Sequence, residues 1–175
     1  MKVRELFEGV TKQFTSKEQI DKWCNKVGIT GYMINADLSI TCSSILLMNQ
    51  KFTELPVKIN DVMTLDIDNC SNLSSFKNFP ITSRKIILKD CAKLTSFSGI
   101  ADRVKSCEMI ICNTEITSNV LSLLKIEDLT LERQHNRPKW MQIVNNHLPN
   151  TKGNQGIMDC QRELIDAGLA EYAKL

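Results

Sequence analysis

Between Ile45 and Phe97 the chain alternates short runs of apolar and polar residues with a period of 21. Aligning SSILLMNQKFTEL, TLDIDNCSNLSSF and KIILKDCAKLTSF places Asn49, Cys70 and Cys91 in one column. Phe52, Leu73 and Leu94 form a second column, Leu55, Phe76 and Phe97 a third, and Leu46, Ile67 and Leu88 a fourth on the other side. A further copy, EMIICNTEITS, continues with Ile110, Asn113 and Ile116 after a one-residue insertion, and a weaker one keeps Ile126, Leu129 and Leu131, with Gln134 in the Asn/Cys column. Such self-similarity predicts stacked coils, each contributing one short parallel strand whose apolar face needs its neighbours to be buried. A repeat of this length has no room for a long helix on the return side, which is expected to be extended or a single turn.

The Asn/Cys column has a physical role in this reading. Each coil must bend after its strand, and the bend leaves backbone polar groups facing inward. A buried Asn side chain can satisfy them, and Cys is a small, easily buried substitute. Asn49 is therefore expected to be an interior residue.

The flanks carry the helical period instead. Val3, Leu6, Phe7, Val10 and Phe14 predict one amphipathic helix. Ser16-Lys17-Glu18-Gln19 reads as a capping box opening a second, with Ile20, Trp23, Cys24 and Val27 on one face. Asn136 and Pro138 predict another start, followed by a stripe of Trp140, Ile143, Val144 and His147. After the polar stretch Thr151 to Gly156, a last helix is expected from Ile157 to Lys174 with Leu164, Ile165, Leu169 and Tyr172 inward. The reading is one α/β unit: a helical cap over residues 1–29, a solenoid of four to five parallel strands over 30–135, and a helical segment over 136–175.

The repeat segment resembles the leucine-rich repeat family in its short, cysteine-bearing forms. From about Tyr32 to Phe97 it is more closely similar to repeat proteins of tailed bacteriophages, in the phrase LPVKINDVMTLDIDNCSNLSSFKNFP and in the ending QRELIDAGLAEYAKL. The chain departs from that pattern at the insertion in the fourth copy and at Arg137 and Pro138. The resemblance implies a non-enzymatic protein-binding role in an infected cell's cytoplasm, acting on a host or phage protein as inhibitor or adapter. A self-associating assembly component is the alternative, and a thiol-dependent enzyme comes third.

Composition narrows these classes. Twenty-two Lys and Arg against 20 Asp and Glu leave a net charge of +2, too little to demand nucleic acid or an anionic membrane. The basic residues from Arg84 to Lys139 are interleaved with acids, so nucleic acid is not an expected partner. The opening MKVRELFEGV mixes charged and apolar residues and does not read as a signal peptide. Seven cysteines form no even framework and are expected to be reduced thiols. Cys107 and Cys112 lack a second ligand pair at zinc spacing, and Asp66 with Asp68 lacks the remaining oxygens of a calcium loop. No metal, cofactor or catalytic group is expected.

The candidate binding residues are those between the strand columns. On this register they are Ile45, Leu47, Asp66, Asp68, Lys85, Ile87, Lys89, Met109, Ile111, Thr130 and Glu132. Five of the eleven are Ile, Leu or Met, which suggests either a partner footprint or a terminal helix folded over the face.

Overall fold

A computed structural model describes residues 13–133, 138–148 and 154–174. Helix α1 (Lys17–Val27) precedes a sheet of β1 (Met33–Ile34), β2 (Ile40–Met48), β3 (Ile59–Asp68), β4 (Thr82–Lys89), β5 (Ser106–Cys112) and β6 (Asp128–Arg133). Two helices follow, α2 (Lys139–His147) and α3 (Asn154–Asp166). The six strands lie side by side in sequence order. Strand β1 runs antiparallel to β2, and every later pair is parallel. Parallel neighbours joined by full returns make a β-solenoid of four turns, the architecture that the repeat predicts.

Core residues stack from coil to coil. Leu47, Ile67, Leu88 and Ile111 occupy one rung, and Ile45, Leu65, Ile86, Met109 and Leu131 another. The return columns Phe52, Leu73, Leu94 and Ile116 close the opposite wall and are all buried. The returns repeat in detail: Leu73 N–H donates to Cys70 O and Leu94 N–H to Cys91 O, both at 3.0 Å. Each return is irregular or one turn long, except that the last holds a short 3-10 helix, Val120–Lys125.

Two devices fasten the coils to one another. Phe76 stacks on Phe97 with ring centroids 5.7 Å apart, and Trp140 of α2 continues the row against Phe97 at 6.0 Å. Arg103 donates from Nη2 to Phe79 O at 2.9 Å and Ile59 O at 3.3 Å, tying its own coil to two earlier ones.

The ends follow from their sequences. Ser16 Oγ accepts from Gln19 N–H at 3.3 Å, and Gln19 Oε1 accepts in return from Thr15 N–H at 2.9 Å, one residue earlier than a standard capping box. The buried face of α1, Ile20, Trp23 and Cys24, joins the core at the first coil. The first predicted helix, over Val3 to Phe14, falls mostly outside the described residues; Phe14 itself is non-helical and donates its N–H to Pro56 O. At the far end α2 packs on β6, the 3-10 helix and α3. The helix expected to reach Lys174 stops at Asp166, because Gly168 takes a left-handed φ of 78° and Leu169 N–H turns back to Leu164 O at 2.8 Å. Tyr172 then stacks on Trp140 at 6.2 Å.

Candidate functional site: the outward face of the sheet

Strands β2 to β5 are each followed by a residue in the left-handed conformation, and the sequence supplies Asn or Asp there. Asn49, Asn69, Asp90 and Asn113 have φ of 55°, 51°, 50° and 47°. Short polar side chains tolerate this region far better than branched or bulky ones. Asn49 N–H donates to Asp68 O, Asn69 N–H to Lys89 O and Asp90 N–H to Cys112 O, at 3.0–3.1 Å, so the bend continues the ladder. Asn69 Nδ2 also donates to Asn49 Oδ1 at 2.5 Å on the surface.

This geometry corrects the Asn/Cys column. Asn49 is exposed and belongs with Asn69, not with Cys70. The position after each of the last three bends is buried and holds Cys70, Cys91 and Thr114, whereas Gln50 after the first is only partly buried. There the Cys91 thiol faces Lys89 O at 3.2 Å, while Thr114 Oγ1 accepts from Cys91 N–H at 3.2 Å and donates to Cys112 O at 3.2 Å.

The same slip reverses two strands. Ile67 lies six residues before Leu73 and Leu88 six before Leu94, but Leu47 lies five before Phe52 and Ile111 five before Ile116. Columns anchored on the returns therefore misplace β2 and β5 by one residue, which exchanges their faces. Ile45, Leu47, Met109 and Ile111, expected on the outside, are core residues with at most 1% exposure. Asp66, Asp68, Lys85, Ile87, Lys89, Thr130 and Glu132 do lie on the outward side, alternating with the buried Leu65, Ile67, Ile86, Leu88, Leu129 and Leu131.

The outward face thus contains residues that the sequence reading missed. Its central row is Leu46, Asp66, Ile87, Ile110 and Glu132, in direct register across five strands. A second row is Met48, Asp68, Lys89 and Cys112, and a third is Ser44, Thr64, Lys85, Glu108 and Thr130. Leu46 and Met48 are 51% and 46% exposed, although the core is already filled by Ile45 and Leu47. Ile110 is 7% exposed yet lies outside the core cluster. The usable signal was the constant spacing of two residues from the last core residue to Asn49, Asn69, Asp90 and Asn113.

Electrostatics divides the face. Lys85 pairs with Glu108 at 3.0 Å in the third row. Asp66 and Asp68 form no ion pair among the described residues, and Asp66 Oδ1 is buried without a hydrogen-bond partner. Burial raises the Asp66 carboxyl above its ordinary value of 3.8; Lys89 opposes the shift and Asp68 adds to it.

The remaining chemistry is quiet. All seven cysteines are free, and six are buried. Desolvation pushes the thiols of Cys24, Cys91, Cys107 and Cys160 up to about 12 and that of Cys42 to about 11, which holds them protonated and poorly nucleophilic at neutral pH. Among the described residues no three His, Cys, Asp or Glu side chains are placed to hold a metal ion, and no helix is long and apolar enough to cross a membrane. The terminal helix considered as a cover for the face packs instead on α2 and the 3-10 helix.

Fold and face together define a capped α/β solenoid whose strand surface mixes apolar and charged side chains. No protein-family model, curated protein or solved structure matches the chain.

Proposed function

We propose that this chain is a non-enzymatic protein-binding module that engages its partner through the outward face of β2 to β5. The observation that carries the reading is the exposure of Leu46 and Met48 beside a row holding Ile87 and Ile110, none of which the core requires. Apolar side chains held on a rigid sheet and rimmed by charge cost little to dock, because their backbone is already ordered. The resemblance to tailed-phage repeat proteins supplies the setting: a host cytoplasm, and a host or phage protein that is inhibited or tethered when the face covers it.

The test compares two baits in a bacterial lysate, the wild-type chain and Ile87→Asp. Ile87 is half-buried on the outward side, so the substitution leaves the core untouched. The reading expects a stoichiometric protein on the wild-type bait and its loss from the variant, with unchanged circular dichroism. Equal capture by both baits would place the binding surface elsewhere.

A further inference from the structure

The geometry points to a basic, apolar peptide segment as the occupant of one corner of this face, where a Lys or Arg of the partner meets Asp66 and Asp68 while its apolar neighbours cover Leu46 and Met48. The inference rests on the protein-binding reading and deepens it by naming the chemistry of the partner.

Charge complementarity carries the argument. The corner joins the ends of β2 and β3, and β2 (ITCSSILLM) contains no charged residue at all. Its two exposed apolar side chains, 51% and 46% accessible, sit in register beside the two carboxylates, Leu46 with Asp66 and Met48 with Asp68. Lys89 lies across from Asp68 on β4 but pairs with neither acid, and the other lysine of the three rows, Lys85, is already bound to Glu108. The corner therefore sets two carboxylates beside its apolar pair, with Lys89 at its edge acting on Asp66 without an ion pair, and it stays net anionic. Asp66 Oδ1 adds an acceptor without a donor, and a half-turn about the Cβ–Cγ bond exchanges it with the other carboxylate oxygen. A cationic donor arriving from the face would compensate a charge already partly desolvated by its apolar neighbours, the situation in which an ion pair gains most. An acidic segment would meet two like charges, and a purely apolar one would cover the carboxylates without a partner.

The test is selection of a displayed random-peptide library on the immobilised full chain, followed by titration of a labelled enriched peptide. Enriched peptides are expected to carry Lys or Arg next to Leu, Ile, Met or Phe. Joint Asp66→Asn and Asp68→Asn substitution should weaken the peptide by about tenfold, the scale of two partly screened ion pairs. High salt should weaken it several-fold on the wild type and hardly at all on the double variant, and Ile87→Asp should abolish binding. Enriched peptides that need Ile87 but are acidic or uncharged, or that bind the double Asn variant equally well, would overturn the inference and leave the face reading standing. A library yielding no peptide sensitive to Ile87→Asp would overturn both. Sedimentation showing a dimer that dissociates in Ile87→Asp would make a second copy the occupant and overturn the inference as well.

Discussion

Truncation of two adjacent leucines, Leu46→Ala and Leu47→Ala, should have very different costs. Leu47 is fully buried in the rung with Ile67 and Leu88, while Leu46 is half exposed on the other side of the same strand. Losing a fully buried Leu side chain costs the transfer free energy of the removed carbons plus a cavity contribution, together about 3 kcal/mol. Removal of an exposed one shifts stability by less than about 0.5 kcal/mol. With a urea m-value of about 2 kcal/mol/M for a domain of this size, Leu47→Ala should lower the unfolding midpoint by roughly 1.5 M and Leu46→Ala by less than about 0.3 M. Urea titration followed by far-ultraviolet circular dichroism reads both, with similar slopes for all three proteins. Comparable losses, or a larger loss for Leu46→Ala, would show that β2 is turned the other way and would refute the register.

Three further outcomes follow from the bends, the coil ties and the acidic corner. Asp90→Val should cost about 1–2 kcal/mol, because a β-branched residue is strained at φ 50°, whereas Asp90→Gly should be nearly neutral; thermal melts distinguish them. Arg103→Met should destabilise by about 1–3 kcal/mol in urea titrations, since Phe79 O and Ile59 O lose their donor. Because the Asp66 carboxyl is raised in the folded state, its ionisation opposes folding: the residue destabilises at pH above its folded value, and the penalty disappears as pH falls through the ordinary 3.8. Asp66→Asn should accordingly be more stable than wild type at pH 7, and melts across the carboxylate range should show that advantage vanish on acidification.

The repeat was legible because burial of stacked coils constrains the returns tightly. Phe52, Leu73, Leu94 and Ile116 fall where the period puts them, and so do the core positions of β3 and β4. What misled the reading was the bend. Asn49 shares a column with Cys70 by spacing from the returns, but the backbone sorts residues by conformation: Asn49 takes a left-handed turn in solvent, and Cys70 follows one into the core. One residue fewer between strand and return in the first and fourth coils then carried Ile45, Leu47, Met109 and Ile111 to the wrong side. The outward face was half legible for the same reason. Asp66, Ile87 and Glu132 come from strands read in the correct phase, while Leu46, Met48 and Ile110 come from those that were not. The ends were clearer in kind than in extent: helical period marks Leu164 as inward, but Ile165, expected beside it, is half exposed, and the period does not show Gly168 ending the helix early.

Inside and outside are assigned most directly by the reactivity of the native thiols. Cys107 and Cys112 lie on one strand five residues apart, so they must face opposite sides: Cys107 is 4% exposed, and Cys112 is half-buried at the outward edge. Alkylation of the folded protein with iodoacetamide, with peptide mass spectrometry at successive times, should find Cys112 modified first and the other six protected until denaturant is added. Early modification of Cys107 with Cys112 protected would turn β5 over and contradict the face on which the binding proposal stands.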